Sequence, residues 1–354
     1  MKKYALLFIA TLTLSLNSKA QDGFENILLA DKNDATKLMQ GYFAPAMEGF
    51  IYSMNNGWFH TAKVHKVLGF DLTIGLSAAK VPTERELFNL TALGLTSISG
   101  ASSASTFAGP SNSTSLTVTR NVTINDPASP ANGQSQNVTA NLTLPGGVVG
   151  DLPLKAVPAP LVQFNIGLPG KFEASVRYFP ETDLGDDGGK AGMYGLGLKK
   201  EITDWFGPLG KTPLHVSLLA AYTSMDVSYG IPNQTGDITI NNAKAEFNLS
   251  AYTIQAIASL NFPFINIYGG LGYGSGNSSL VMSGTYEGNY SYNIAGTSYT
   301  EKIDLSPPSN MEFDASGFKT TVGARLSLGF FKIFADYTLQ EYNTISAGIA
   351  ISIR

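Results

Sequence analysis

The chain has 354 residues, of which 44% are hydrophobic and 14% charged, with a formal net charge of −4 at pH 7 and no cysteine. That charged fraction falls well below the roughly 25% of soluble proteins, yet no apolar run approaches the ~20 residues of a transmembrane helix. The charge balance argues against nucleic-acid binding, and the lack of cysteine excludes disulfides, thiolate metal sites and a cysteine-linked lipid anchor.

Residues 1–20 read as an export signal. Lys2 and Lys3 precede the apolar stretch Tyr4–Leu16, and Ser18-Lys19-Ala20 fits a small-x-small cleavage site. An uncleaved anchor is the alternative, but this stretch is too short to span a bilayer. Residues 21–62 do not alternate. Asn33 or Asp34 can cap a helix, and Ala35, Leu38, Met39, Tyr42 and Phe43 follow the spacing of an amphipathic stripe that Pro45 interrupts. A helix ahead of a barrel can bury such a stripe in the lumen, so this segment is expected to be a plug; a helix against the barrel rim is the alternative.

Residues 63–354 then read as a transmembrane β-barrel. The clearest unit is Leu249–Gly276, where Tyr252, Ile254, Ala256, Ala258 and Leu260 share one face and Thr253, Gln255 and Ser259 the other. After the turn Asn261-Phe262-Pro263-Phe264 the period of two resumes with Ile265, Ile267, Leu271 and Tyr273. Arms of about ten residues exceed the usual soluble strand of 5–6 and suit strands that cross a membrane. The same pattern recurs along Lys66–Ala78, Pro160–Leu168, 172–178, 194–198, 214–222, 318–328, 333–339 and Ile345–Ile353. Residues 82–158 and 277–315 are rich in Ser, Thr, Asn and Gly and are expected to be long extracellular loops. Loops are mostly long after odd-numbered strands and short after even-numbered ones, which is the pattern of outer-membrane barrels with short periplasmic turns. Ten strands satisfy parity and place both termini on the periplasmic side; the Thr/Val-rich segments near 114–144 would raise the count to twelve. In lipid an open sheet is excluded, because each unpaired backbone group costs several kcal/mol.

No catalytic constellation stands out, so no enzyme and no cofactor are expected. His60 and His65 lack a third metal ligand at a recognisable spacing, and no serine near His215 sits in a Gly-x-Ser-x-Gly elbow. Asp183, Asp186 and Asp187 beside Gly188-Gly189 could bind Ca²⁺, but the spacing is not that of an EF-hand and a polar hairpin turn is the favoured reading. The inward charges Asp71, Glu173, Arg177, Lys199, Glu201, Lys319, Arg325 and Asp336 are mixed in sign, which argues against an ion-selective pore. Taking Phe330-Phe331 as a two-residue turn places Arg325 opposite Asp336, a structural charge pair in the lumen.

The run GFIYSMNNGWFHTAKVHKVLGFDL at 49–72, with KKEITDW at 199–205, resembles an uncharacterised outer-membrane protein family of Gram-negative bacteria, a domain of unknown function. The resemblance covers nearly the whole chain after the signal and implies a barrel without naming an activity. A weaker likeness is to the long-chain fatty acid transporter family, whose barrels hold an N-terminal hatch with an Asn-Pro-Ala-Gly-like element before the first strand. FAPAMEGF occupies that place, with Ala44 before Pro45-Ala46 and Gly49 two residues late. That likeness implies passage of a hydrophobic substrate and carries no ligand residues. The expected function is therefore passive uptake of a small hydrophobic molecule across the outer membrane, with membrane lipid and that ligand as partners. A structural or surface-interaction barrel is the alternative, and a membrane-embedded hydrolase a third.

Overall fold

The computed structural model describes residues 23–152, 154–183, 189–308 and 311–353; the stretch expected to be an export signal and the residues Asp186 and Asp187 lie outside the described residues. Phe24–Leu29 forms a 3-10 helix and Lys32–Met54 one long helix, α1. Asp31, not Asn33 or Asp34, caps α1: its Oδ1 accepts from the backbone N–H of Asn33 at 2.8 Å and of Asp34 at 3.0 Å, satisfying donors that a helix start leaves free. The expected break at Pro45 does not occur, and α1 continues to Met54. An interior proline loses the bond to the carbonyl four residues back and costs a free helix ~3 kcal/mol or more. Here α1 is enclosed: Leu38, Met39, Tyr42, Ala46, Ile51 and Met54 are all buried, so the wall around it holds both halves in line.

That wall is a ring of strands. β1 (Phe70–Lys80) is followed by the strands of the long connection, β2 (Leu87–Asn89), β3 (Ile98–Gly100), β4 (Ser103–Ser105), β5 (Thr114–Thr123) and β6 (Ser135–Leu144). Then come β7 (Ala156–Leu168), β8 (Phe172–Asp183), β9 (Lys190–Glu201), β10 (Leu214–Ile231), β11 (Ile238–Asn261) and β12 (Ile265–Ile294). β13 (Thr297–Leu305), β14 (Met311–Leu328), β15 (Phe331–Leu339) and β16 (Thr344–Ile353) complete the chain. Ten strands close antiparallel in the order β1-β7-β8-β9-β10-β11-β12-β14-β15-β16, and β16 returns to β1. The segments near 114–144 pair with each other as β5 and β6 outside this ring, so they do not raise the strand count.

Side chains alternate as a spanning strand requires. On β11, Tyr252, Ile254 and Leu260 face outward and Thr253, Gln255, Ile257 and Ser259 are buried inside. Exposed aromatics bound the apolar band at both ends, with Trp205, Phe206, Phe262, Phe264 and Phe330 at the short turns and Tyr178, Tyr194, Tyr222, Tyr252 and Phe318 opposite them. The fold is an antiparallel transmembrane β-barrel with a helical plug. The stretch 277–315 is not an irregular loop: β12 runs on to Ile294, β13 folds back on it, and β14 starts at Met311. Its sequence reads as polar because the outer face above the band meets water.

The plug runs opposite to β1. Gln234, in the β10–β11 connection, donates to Glu25 at 2.9 Å, and Tyr290 of β12 donates to the Leu29 carbonyl. Residue 23 therefore starts at the long-loop end, and the chain descends the lumen to the short-turn end where β1 begins. Both terminal strands end at the short turns as parity demands, but the first described residues do not share that side, contrary to expectation.

Asp34 fastens α1 to the long connection by accepting from the backbone N–H groups of Ser97 (2.7 Å) and Thr96 (2.9 Å). Burial pushes its carboxyl up, but the bonds from Ser97 and Thr96, with Lys37 close by, outweigh this and hold it below the ordinary aspartate value. A depressed carboxyl contributes stability that is present above its unfolded pKa of about 3.9 and lost as pH falls through the native value. Protection of residues 91–100 from protease should thus decline as pH drops below about 4, and in Asp34→Asn it should be weaker at neutral pH and flat across that window. On the lipid face, Ala256→Arg and Ile349→Arg should each cost about 2–4 kcal/mol near the midplane. Asn293→Arg, above the band, should stay within about 0.5 kcal/mol; urea titration of refolding into vesicles measures all three.

Candidate functional site

The lumen has two layers. The lower one, from the end of α1 to the short turns, is polar. A helix leaves its last carbonyls unpaired, and the wall supplies their donors. Arg177 of β8 donates to the Met54 carbonyl at 3.0 Å, to the Asn56 carbonyl at 3.2 Å and to Gln163 Oε1 at 3.1 Å. Its guanidinium also stacks over Trp58, 3.9 Å from the ring centroid. Lys319 of β14 donates to the Asn55 carbonyl at 2.6 Å and to Asn56 Oδ1 at 3.2 Å. Both cations thus sit where the helix dipole is negative. Glycines on the wall make room for the chain they hold: a Cβ at Gly197 would lie 3.0 Å from Trp58, and at Gly276 2.7 Å from Ile51.

Below this, residues 58–66 are bound by charges. His65 lies between Glu173 (2.7 Å from Nδ1) and Asp71 (3.2 Å from Nε2), and Lys199 pairs with Glu173 at 2.5 Å. Arg325 meets His60 Nδ1 at 2.8 Å. A guanidinium only donates, so this Nδ1 accepts and the Nε2–H faces Asp71, 3.5 Å away. Glu201 accepts from the Val64 N–H at 3.1 Å and pairs with His215 at 2.8 Å. The two histidines of the WFHTAKVHK run are thus bound to wall carboxylates.

Asp71, Glu173, Arg177, Lys319, Arg325 and Asp336 are all buried on the inner face. Arg325 and Asp336, however, are not opposite one another. The two-residue turn is Gly329-Phe330, so Leu328 faces Phe331, Arg325 faces Phe334, and Asp336 faces Gly323. Gly329 has φ 65°, a conformation glycine adopts readily, and that draws the turn one residue earlier than Phe330-Phe331. Both side chains keep their inward parity but take other partners. Asp336 accepts from Tyr268 at 3.0 Å over the bare backbone of Gly323, while Arg325 serves His60. The Tyr268 hydroxyl and the plug carbonyls are long-range partners that strand periodicity does not indicate.

The upper layer is apolar. Between α1 and the inner faces of β8–β11 lies a chamber of about 260 Å³. Phe24, Phe43, Met47 and Phe50 line it from the plug, Phe107 and Leu152 from the long connection, and Phe179, Met193, Met225 and Phe247 from the wall. Among the described residues around it none is charged; Tyr42 and Tyr229 bring the hydroxyl groups, and Tyr42 donates to the Gly146 carbonyl at 3.1 Å.

The wall beside the chamber is incomplete. β7 and β8 are paired only from Leu168–Phe172 to Gln163–Arg177, although β7 extends back to Ala156 and β8 on to Asp183. Alternate residues of an antiparallel strand direct both backbone groups to the same neighbour. Gly167 exchanges bonds with Leu68 and Gly69, ahead of β1, so odd residues of β7 face β1 and even ones face β8. Pro158 and Pro160 therefore stand where β7 would donate to β8, and by the same parity Pro180 stands where β8 would donate back. The β1–β7 ladder is untouched and continues to Lys80–Ala156.

A family model, described as a family of unknown function (DUF6588), matches residues 1–353. The chain belongs to that family. No curated protein matches it in sequence. Among solved structures, it is similar to the outer-membrane protease OmpT of Escherichia coli (11% identity, 80% of this chain and 97% of that one, TM-score 0.27). It is likewise similar to the translocator domain of the autotransporter NalP from Neisseria meningitidis (12% identity, 92% and 98%, TM-score 0.26). A third is Ail, the attachment invasion locus protein of Yersinia pestis, in complex with the heparin analogue sucrose octasulfate (13%, 51% and 94%, TM-score 0.24). At such identities and TM-scores none of them lends this DUF6588 chain an activity, and none shows a likeness to fatty acid transporters.

Arg177→Gln should loosen the plug of this family member. It removes charge-assisted bonds worth about 1.5–3 kcal/mol each and leaves the last carbonyls of α1 buried without donors. The barrel should remain heat-modifiable on gels while protease gains access to residues 55–62 and conductance rises in planar bilayers.

Proposed function

We propose that the protein resides in the outer membrane of a Gram-negative bacterium and passes a small, uncharged hydrophobic molecule inward without an energy source. The observation that carries this reading is the chamber: apolar rings and thioethers from plug and wall surround a space to which the described residues bring no counter-ion for a charged solute. Ligand sites are typically apolar hollows of comparable or larger size, and an engineered apolar cavity of about 150 Å³ takes up benzene. The polar layer below supports the same reading. Its cations and carboxylates are bound to the plug and to each other, so they hold the segment in place and do not line an ion path. No enzymatic step and no cofactor enter this reading.

A surface-interaction barrel has one observation in its favour. Thr119, Thr139, Ser291 and Thr300 are paired successively across β5, β6, β12 and β13 and are all exposed, a row of neutral hydroxyl groups beyond the membrane band.

The test uses vesicles with lipopolysaccharide in the outer leaflet, where a hydrophobic probe such as N-phenyl-1-naphthylamine crosses slowly. The protein should speed probe transfer at least tenfold and leave glucose unaffected, and Met193→Trp/Met225→Trp, which fills the chamber, should abolish the gain. Equal transfer with and without the protein would sink the uptake reading and leave the surface-interaction reading standing.

A further inference from the structure

We propose that the parted seam between β7 and β8 is a lateral exit, through which a hydrophobic molecule leaves the chamber for the hydrocarbon of the membrane; this rests on the uptake reading above. The chamber is lined from both sides of the wall. Phe43, Phe179 and Met193 face it from within, while Ile74, Leu76 and Pro160 belong to the outer faces of β1 and β7. A single cavity can touch both only by passing between the strands. Outside, the surface continues apolar onto Ile349 and Ile345 of β16, which are exposed to lipid.

The seam is written into the backbone. Of the donors that closing it would require, those at residues 158, 160 and 180 are all missing, because each is proline. Unpaired backbone is excluded from lipid but tolerated where it lines a cavity, and proline leaves no N–H to be stranded there. The opening needs no hydrogen bond to break each time a molecule passes. The axial route is different: it leads through the layer of Arg177, Lys319, Asp71 and Glu173, whose bonds hold the plug.

The chain lacks cysteine, so a cross-link can be placed cleanly. Pro160→Cys/Pro180→Cys faces across the seam and can be bridged by a disulfide or a short bis-maleimide. In the lipopolysaccharide vesicles, bridging should slow arrival of N-phenyl-1-naphthylamine in the bilayer at least tenfold. Probe binding to the protein should persist, and reducing the disulfide should restore the rate. Pro158→Val/Pro160→Val/Pro180→Val, which returns the donors, should zip the strands together and slow transfer without any cross-link. Bridging Leu196→Cys/Tyr222→Cys, a directly paired couple on the intact β9–β10 ladder, should change nothing. Undiminished transfer by the fully bridged seam, or arrival of probe in the aqueous interior ahead of the bilayer, overturns the lateral exit while uptake stands. A protein that transfers no probe even unbridged overturns the uptake reading and the exit with it.

Discussion

The structure turns on how the end of a helix is satisfied inside a closed wall. Carbonyls at the end of α1 face a lumen where the wall and the plug fill the space. Stranding one there costs about 1–3 kcal/mol. Arg177 and Lys319 meet three successive carbonyls or their neighbours, at residues 54–56, from opposite parts of the ring. A buried cation left alone would be worse than the carbonyls it serves, so each makes at least two bonds. That fixes the height at which α1 ends. The apolar chamber then lies above this level, and the ion pairs that bind residues 60–66 lie below it.

The barrel was legible because lipid imposes a simple rule: a residue facing lipid is apolar and its neighbour is not. Ile254, Ile267, Val322 and Ile349 announce their strands for that reason. The lumen obeys no such rule. Ile257 breaks the alternation of β11 because Phe59 and Tyr268 pack with it inside, a fact that depends on residues far away in sequence. The continuation of α1 through Pro45 was hidden for a similar reason, since propensity describes a free helix and the wall overrides it. The extension of β12 past Gly276 was hidden because it is lipid that imposes an apolar outer face, and above the band there is none. The Arg325 register failed on local chemistry: two aromatics looked like a turn, but Gly329 was the residue suited to it.

The seam was visible in principle. Val157-Pro158-Ala159-Pro160 places two prolines at a spacing of two, and in a strand that spacing puts both missing donors on the same edge. Taken alone it marks a strand that cannot be paired on one side. Only the register shows that the edge faces β8, and that Pro180 answers from across it. A single proline in either strand would cost a ladder bond and little else. Three aligned on one interface remove the ladder over the length where the chamber meets the wall.

The two layers also decide which way a solute can leave. To travel along the axis, an apolar molecule must displace residues 55–66 and break bonds in which ions take part, worth about 1.5–3 kcal/mol apiece, with at least Arg177, Lys319 and Glu173 to be undone. The charges left behind would stay buried, adding to that barrier. To move sideways it exchanges contact with Phe179 and Met193 for contact with Leu76, Pro160 and lipid, and no hydrogen bond is lost. Apolar surface gains about 25 cal/mol per Å² on leaving water, but nothing comparable on moving from one apolar surrounding to another, so the sideways step is close to level. The same ion pairs that anchor the plug therefore make the wall, and not the mouth of the barrel, the easier boundary to cross.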